Sequence, residues 1–187
     1  MPDQVDLAGA IARTVQALRA ERGWSLDQLA KRCRVSKGVL VAVEQGRSNP
    51  SLGTLARISD AFGVPVTRLV EVSEQPDVSI SVPRPLWHGP SGGTGTIIGA
   101  TDPPWAAELW QWRVEPGETF GGQAHAPATR ELIWVESGTI TLEVAGREQE
   151  IEAGQCARFS GGLPHEYANR GTEATTMIMV VTVPPSV

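Results

Sequence analysis

The sequence predicts a multidomain α + β fold, in which a five-helix bundle over residues 1–70 precedes an all-β domain over residues 78–187. The spacing of apolar residues changes from helical to alternating near residue 77. The charge changes at the same place, because residues 1–70 carry ten Lys or Arg against six Asp or Glu and the remainder carries six against fifteen. All three histidines and five of the six tryptophans also follow residue 86. We therefore expect two domains with different functions.

The composition is that of a folded protein rather than a disordered or membrane-spanning one. With 187 residues, of which 41% are apolar and 20% charged, the chain suits one large or two small globular domains. No apolar stretch approaches the roughly 20 residues needed to cross a bilayer, and no basic region followed by an apolar run begins the chain. Cys33 and Cys156 are too few for a disulfide framework, so we expect two buried thiols in a cytoplasmic protein.

Apolar spacing and end signals predict the helices of the first segment in order. Apolar residues three or four positions apart predict a first helix over residues 7–22. Ser25, with Gln28 three positions later, predicts a second helix that begins with a capping box. Ser36 is the expected N-cap of a third helix. The remaining elements are a fourth helix from Pro50-Ser51 and a short fifth helix over Val66–Val70.

Residues 71–77 are acidic, polar and proline-bearing, which is typical of an exposed linker. Beyond them, Thr139–Val144 alternates as a half-buried strand does, and Thr175–Val183 is a β-branched and apolar run suited to a buried strand. Glycine-containing turn signals recur about every eight residues between such runs. This spacing predicts an antiparallel all-β barrel or sandwich.

A helix capped at Ser25, a short turn and a helix capped at Ser36 form a candidate helix-turn-helix at about residues 25–44. The residues that extend the comparison are Leu18-Arg19, Arg22-Gly23-Trp24-Ser25-Leu26, Gln28-Leu29-Ala30, Val35-Ser36-Lys37-Gly38, Leu40, Glu44, Gly46, Asn49-Pro50, Leu55, Ile58 and Phe62-Gly63-Val64. On these residues the segment resembles the lambda-repressor and Cro-type (XRE-type) DNA-binding domain. The resemblance implies that Ser36–Glu44 is the recognition helix and lies in the major groove of double-stranded DNA.

Nine residues are the expected DNA contacts. They are Ser25, Gln28, Ser36, Lys37, Gly38, Val41, Arg47, Ser48 and Asn49. Ser36 and Lys37 offer polar contacts to bases or nearby phosphates, Gly38 allows close backbone approach, and Val41 offers a contact to a thymine methyl group. The other positions suit phosphate oxygens.

The recognition helix departs from the family pattern. Val41, Ala42 and Gln45 stand where the family usually has a hydroxyl group or an arginine, which leaves fewer groups for hydrogen bonds to bases. Basic residues alone would be weak support for DNA binding, because a run of charge is usually a solvated surface. Glu44 is expected to be structural and to pair locally with a basic side chain.

Two strings of residues in the second segment match the two motifs of the cupin barrel, a double-stranded β-helix or jelly roll. The first string is Gly117, His125, Glu131 and Gly138, and the second is Gly154, Ser160, Gly162, His165 and Asn169. The resemblance covers residues 117–169. Pro127 occupies the position of the second histidine in the first motif.

In metal-bearing cupins the matched histidine and glutamate positions are ligands that converge inside the barrel. The resemblance therefore implies a site for Fe(II), Mn(II), Zn(II) or Ni(II) formed by His125, Glu131 and His165. Pro127 offers no donor atom, so we favour the alternative in which the site holds no metal and both histidines contact a ligand or water. His88 matches neither motif and is expected in a surface position.

The expected effector pocket is formed by inward side chains of the barrel. Its residues are His125, Glu131, Ile133, Arg158, His165 and Tyr167. An inward Arg113 or Arg158 would suit an acidic effector such as a carboxylate. Trp110 and Trp112, two positions apart on one strand, would stack on a ligand or, more commonly, pack in the core.

The sequence favours a transcriptional regulator. Its helical domain would bind a double-stranded DNA operator, and its cupin domain would bind a small-molecule effector that modulates operator binding. A homodimer is expected, because a two-fold pair matches palindromic half-sites. The alternatives are a metal-dependent cupin enzyme of the dioxygenase or isomerase type with a DNA-binding appendage, and a DNA-tethered protein-interaction module.

Overall fold

The computed structural model describes residues 7–70, 80–102, 106–122 and 124–183, and the chain divides into two compact units between Ile80 and Ser81. The expected linker at residues 71–77 lies outside the described residues. The helices of the first unit are α1 (Leu7–Glu21), α2 (Leu26–Cys33), α3 (Lys37–Glu44), α4 (Leu52–Phe62) and α5 (Val66–Val70). No described helix has the length and apolar character needed to span a membrane.

Polar caps and one glycine explain where these helices begin and end. Ser25 Oγ accepts a hydrogen bond from the Gln28 N–H, and the Gln28 side chain accepts one from the Ser25 N–H, which completes the predicted capping box. Ser36 and Ser51 accept in the same way at the start of α3 and α4. Gly63 ends α4 with a φ of 66°, a left-handed conformation that glycine adopts without strain. The predicted N-caps of α2, α3 and α4 are confirmed, and α1 ends at Glu21, one residue before the predicted end.

The helices enclose an apolar core. Its fully buried side chains are Ile11, Val15, Leu29, Leu40, Val43, Ile58, Phe62 and Leu69. The Trp24 ring stacks on Phe62 with a centroid separation of 5.4 Å, and the Arg32 guanidinium lies 4.4 Å from the Trp24 ring centroid. The core therefore extends to an aromatic pair that a basic side chain covers.

The second unit consists of antiparallel strands. They are β1 (Arg84–His88), β2 (Thr94–Ala100), β3 (Ala106–Val114), β4 (Thr119–Gly122), β5 (Arg130–Ser137), β6 (Thr139–Val144), β7 (Arg147–Glu152), β8 (Cys156–Ser160), β9 (His165–Ala168) and β10 (Thr175–Val183). They form a six-stranded sheet in the order β1-β2-β3-β10-β5-β8 and a four-stranded sheet in the order β4-β9-β6-β7. The two predicted strands, β6 and β10, are confirmed to the residue. The all-β prediction is confirmed as well.

Alternating side chains fill the space between the two sheets. On β3, Trp110 and Trp112 are 4% and 2% exposed, while their neighbours on the other face reach solvent. The Trp112 ring lies 4.4 Å from that of Phe120 on the opposite sheet, and Phe120 stacks on Tyr167 at 6.3 Å. The two tryptophans thus pack in the core, which is the commoner role of paired tryptophans on one face of a strand.

The turn between β1 and β2 wraps around the buried carboxylate of Glu118. One oxygen accepts hydrogen bonds from the backbone N–H groups of Ser91 (2.6 Å) and Gly93 (3.3 Å), and the other accepts one from Glu115 (2.9 Å). Burial alone would raise the pKa of Glu118, but these donors outweigh it and lower the pKa. A Cβ atom at Gly89 or Gly93 would lie 2.2 or 1.9 Å from a Glu118 oxygen, so only glycine fits there.

The expectation that both thiols are buried is wrong for one of them. Cys33 is buried in the helical core, whereas Cys156 is exposed. Cys156 lies on the outer face of β8, opposite Trp134 of β5 in the register of the sheet. His88 is exposed at the end of β1, as predicted.

Replacing Glu118 with Gln should lower the free energy of unfolding by about 2 kcal/mol, because the amide leaves at least one buried N–H donor without an acceptor. The pKa of Glu118 lies below its ordinary value of 4.5, so its contribution is present in full above that pH and declines as the pH falls below it. Urea unfolding at pH 7 and pH 4 measures both effects. The exposed Glu150→Gln variant is the control, and an equal loss in both variants would contradict the prediction.

Candidate functional site

The N-terminal ends of α2 and α3 are both exposed. Ser25 and Ser36 are exposed and their hydroxyls are engaged as caps, with Ser36 Oγ accepting from the Val39 N–H at 3.3 Å. Lys37 Nζ forms an ion pair with Asp27 at 2.8 Å, and both side chains are more than half exposed. An exposed pair of this kind contributes about 0.2–1 kcal/mol, so Lys37 is readily available to a stronger partner.

Two expected contacts of this surface are less accessible than the others. Val41 is half-buried, and the most exposed apolar side chain of α3 is Val39, at 42%. Ser48 Oγ is buried and has no hydrogen-bond partner among the described residues, so the structure does not present this hydroxyl to a phosphate. Arg47 and Asn49 are exposed beside it, and Arg47 donates a hydrogen bond to the Gln45 side chain.

Glu44 stabilises the helical unit from within. Its two oxygens accept hydrogen bonds from Arg19 Nε at 2.6 Å and Arg19 Nη2 at 2.8 Å, while Arg19 Nη1 also donates to the Trp24 carbonyl. The Glu44 side chain is 8% exposed. The structural role expected of Glu44 is confirmed, but its partner lies on α1, 25 residues away, and is therefore not local in sequence.

In the second unit, three side chains from separate elements converge between the sheets. His125 precedes β5, Glu131 lies on β5 and His165 begins β9. Glu131 Oε1 lies 3.3 Å from His165 Nε2 and 3.6 Å from His125 Nε2, and the three ligand atoms lie within 4.8 Å of one another. Glu131 and His165 are buried, whereas the His125 side chain is 21% exposed and marks the solvent side of the cluster.

Hydrogen bonds fix the orientation of the buried pair. Tyr167 donates to Glu131 Oε2 at 2.6 Å, and burial together with the Glu131 charge holds the pKa of Tyr167 well above 10, so the hydroxyl keeps its proton. His165 Nδ1 lies 2.8 Å from the Leu163 carbonyl oxygen, which only accepts. We therefore assign the proton to Nδ1, which leaves the Nε2 lone pair facing Glu131 Oε1.

This arrangement fits a positively charged group. Glu131 Oε1 is buried and has no hydrogen-bond donor among the described residues. An imidazole lone pair 3.3 Å from a carboxylate oxygen is unfavourable unless a proton or another cation lies between or beside them. Two imidazole nitrogens and one carboxylate are also a donor set that binds divalent transition metals. Residues His125, Glu131 and His165 therefore fit the metal implied by the family resemblance.

Two glycines let the segments around the cluster approach one another. A Cβ atom at Gly161 would lie 2.5 Å from Glu131 Oε1, and one at Gly162 would lie 2.8 Å from the backbone of Pro127. The His125 N–H donates to the Gly161 carbonyl at 2.9 Å. Pro127 itself is exposed and adds no ligand atom. The loop that carries His125 is thus held against the turn that precedes His165.

Comparison with protein families agrees with both halves of this description. A helix-turn-helix family model matches residues 15–69, and a cupin domain model matches residues 110–181. The chain therefore combines an XRE-type helix-turn-helix domain with a C-terminal cupin domain.

Relatives share this two-domain organisation along their length. The HTH-type transcriptional regulator SutR of Escherichia coli (strain K12) is 26% identical over 97% of this chain and 99% of its own. The HTH-type transcriptional regulator PuuR of the same organism is 22% identical over 86% of this chain and 88% of its own. The crystal structure of an HTH_3 family transcriptional regulator from Vibrio cholerae superposes with a TM-score of 0.74 at 25% identity, covering 95% and 97% of the two chains.

The cupin domain places most, but not all, of the expected pocket residues inside. Ile133 and Tyr167 are fully buried beside Glu131 and His165. Arg158 is exposed on the outer face of the six-stranded sheet, where it pairs with the exposed Leu132, so the structure does not place its side chain beside the buried cluster.

Arg113 is exposed as well. It binds Glu115 at 2.7 Å. Neither arginine considered for an acidic effector therefore faces the interior of the cupin domain.

Three interior residues of the cupin domain were not singled out by the sequence patterns. Phe159 faces inward, with its ring 5.3 Å from His165 and 6.1 Å from Tyr167. Phe120 completes the aromatic contacts between the sheets. Glu108 is 5% exposed and accepts a hydrogen bond from Trp110 Nε1 at 2.8 Å. The sequence did indicate that Glu108 faces inward, because Glu108 lies two positions before Trp110 and such side chains share one face of a strand.

Proposed function

We propose that the protein is a transcriptional regulator whose XRE-type domain binds operator DNA and whose cupin domain binds a small-molecule effector that modulates this binding. The observation that carries the proposal is the capped α2–α3 pair, joined in one chain to a cupin domain as in relatives named transcriptional regulators. Operator DNA is the proposed macromolecular partner. A role at operators also supports a location in the cytoplasm, with no association with membranes.

We propose that α3 lies in the major groove with its N-terminal end towards the bases. Ser36, Lys37 and Gly38 are exposed there, and apart from its own helix no described residue lies within 4 Å of where a Cβ atom at Gly38 would be, which supports close approach to DNA. Val39 supplies an exposed apolar contact for a thymine methyl group, a role first expected of Val41. The cap of α2 at Ser25 and Gln28 offers the positive end of a helix to a phosphate, as Arg47 and Asn49 offer side chains.

Arg47→Ala should weaken binding to operator and random DNA alike and reduce the slope of log affinity against log salt by about 0.9, the value of one phosphate contact. Lys37→Ala should instead reduce the preference for the operator if this side chain contacts bases. Fluorescence anisotropy on a fragment containing the protein's own promoter, over a range of salt concentrations, measures both. The exposed cupin-domain variant Arg147→Ala is the control. Absence of DNA binding by the full-length wild type at low salt would refute the regulator proposal.

We propose that the protein is a homodimer. The outer face of the six-stranded sheet exposes Leu109, Leu132 and Trp134, at 39%, 45% and 46%. Val180 on β10 pairs with Leu109 on one side and Leu132 on the other, so these apolar side chains are contiguous across three strands. A contiguous apolar surface of this kind is typical of an interface, and a two-fold dimer suits half-sites about 34 Å apart.

The dimer proposal predicts that Trp134→Glu gives a monomer. Burying an unpaired carboxylate at the centre of the interface costs more free energy than the apolar contact of Trp134 contributes. Sedimentation equilibrium of the full-length protein measures the mass. The matched control is Leu163→Glu, because Leu163 is 44% exposed but lies on the turn before β9 rather than on the sheet. A dimeric Trp134→Glu variant would exclude this surface.

A metal-dependent cupin enzyme of the dioxygenase or isomerase type is the second candidate. It is favoured by the convergence of His125, Glu131 and His165 within 4.8 Å. A divalent metal bound there would supply a Lewis acid or a redox centre. Glu131 would bind through Oε1, while Tyr167 holds Oε2 and Leu163 holds the far nitrogen of His165.

Elemental analysis distinguishes the two candidates. If the cluster binds metal, purified wild type contains a stoichiometric ion, His165→Ala loses it, and chelation lowers the melting temperature by removing the stabilisation that binding provides. If the cluster contacts only an organic effector, metal content is negligible and chelation leaves the melting temperature unchanged. Metal together with turnover of a substrate would support the enzyme. His165→Ala should leave effector-free DNA binding intact in either case, since the recognition helix lies in the other domain.

A further inference from the structure

The outer face of the six-stranded sheet is apolar in the middle and charged at its two ends. Along β5 the outward residues are Arg130, Leu132, Trp134 and Glu136, and all four are exposed. The strand therefore presents a positive charge, two large apolar side chains and a negative charge, in that order. Six positions separate the two charges, which is roughly 20 Å at the rise of a β-strand.

The neighbouring strand β10 repeats this division. In the register of the sheet Ile178 lies beside Trp134. Val180 lies beside Leu132, and both β10 side chains are half-buried and apolar. The outward residues towards the two ends of β10 carry hydroxyl groups and are Thr176 and Thr182. Two adjacent strands thus form one apolar band with polar residues on either side of it.

The charges at the two ends of the β5 row are not neutralised within the described part of the chain. Arg130 Nη1 donates hydrogen bonds to the carbonyl oxygens of Pro127 (3.4 Å) and Thr129 (2.9 Å) and to Ser160 Oγ (3.4 Å), which are all neutral acceptors. Among the described residues, neither Arg130 nor Glu136 forms an ion pair. Both charges are therefore available to a partner.

A groove crosses the positive end of this face. The outward side chains that line it are Arg130, Leu132, Arg158, Ser160, Val180 and Thr182. Arg158 pairs with Leu132 in the sheet and is therefore diagonal to Arg130, so two guanidinium groups border one groove with an apolar floor. Glu131 also lines the groove, but its carboxylate is buried and binds Tyr167 inside the barrel. The groove thus suits a carboxylate that a partner supplies.

Two copies of this face can meet about a two-fold axis in two ways, which differ in the ends that come together. With the axis along the strands, the positive ends of the two copies meet, and so do the negative ends. With the axis across the strands, the β5 strands run antiparallel, and the positive end of each copy meets the negative end of the other. Like charges brought together disfavour a complex, whereas opposite charges fix its orientation. The order of charges on β5 therefore favours the second arrangement.

We propose that two copies of the chain pack through this face about a two-fold axis across the strands. Each Arg130 then binds the partner's Glu136 in the groove that Arg158 also borders, and each Leu132 packs against the partner's Trp134. The ion pair occurs twice, as the symmetry of such an interface requires. This inference rests on the proposed homodimer and adds the direction of its axis and the residues that meet across it.

Charge reversal tests this pairing in the full-length protein. Arg130→Glu places carboxylates on both sides of each contact, and Glu136→Arg places guanidinium groups there. Each variant alone should raise the dissociation constant of the dimer by about a hundredfold or more, roughly tenfold for each of the two contacts. An equimolar mixture of the two variants should associate as wild type does, because every contact then joins opposite charges. The double variant should likewise recover the homodimer. Sedimentation equilibrium measures all of these constants.

Exposed charges of β7, on the other sheet, provide the matched controls. Arg147→Glu and Glu150→Arg should each keep the dissociation constant of wild type. Wild-type affinity in Arg130→Glu and Glu136→Arg, or failure of their mixture to associate, would overturn the proposed pairing.

The wild type alone gives a further test, which holds even where a variant does not fold. Raising the salt concentration from about 50 to 500 mM screens exposed ion pairs and should weaken the dimer. A wild-type dimer that is no weaker at high salt would overturn the pairing while leaving the homodimer in place. A wild type that is monomeric throughout would refute the homodimer itself, and the pairing with it.

Discussion

The hydrogen bond from Tyr167 to Glu131 links the two sheets of the cupin domain at its chemical centre. It fixes a carboxylate between the sheets, where a bare charge is costly, and the rest of the interior is arranged around that carboxylate. A neighbouring turn has glycine at position 161 because any side chain there would meet Glu131. His165 in turn is oriented by a backbone carbonyl so that its free nitrogen faces the same oxygen. The site is therefore preorganised for a partner that brings positive charge.

Features decided by neighbouring residues were predictable from the sequence. The Ser25–Gln28 capping box and the stop at Gly63 depend on atoms within a few residues, and both are present. Strand β10 was predicted to the residue because its whole length is apolar or β-branched and it lies in the middle of a sheet. The prediction that Glu131 and Ile133 both face the interior was also correct, because side chains two positions apart on a strand lie on the same face.

Features decided by pairing between distant strands were not predictable. Period two places Arg158 and Phe159 on opposite faces of β8, but it does not decide which of them faces inward, because either choice gives an amphipathic strand. The register with β5 decides it, since Glu131 opposes Phe159 and Leu132 opposes Arg158. Glu108 was overlooked for a related reason: a charged residue on a buried face contradicts the usual pattern. Such contradictions concentrate at functional sites, where the interior must hold a polar partner.

The placement of β10 has a consequence for how the chain is made. This strand is the last in chain order, yet it joins β3 to β5 in the middle of the six-stranded sheet. During synthesis the helical unit emerges first and can fold from contacts close in sequence, while β3 and β5 keep open edges until Thr175–Val183 leaves the ribosome. An open edge invites pairing with another nascent chain. The edges of β3 and β5 therefore remain free to pair with another chain until β10 has been synthesised, while the helical unit can already be folded.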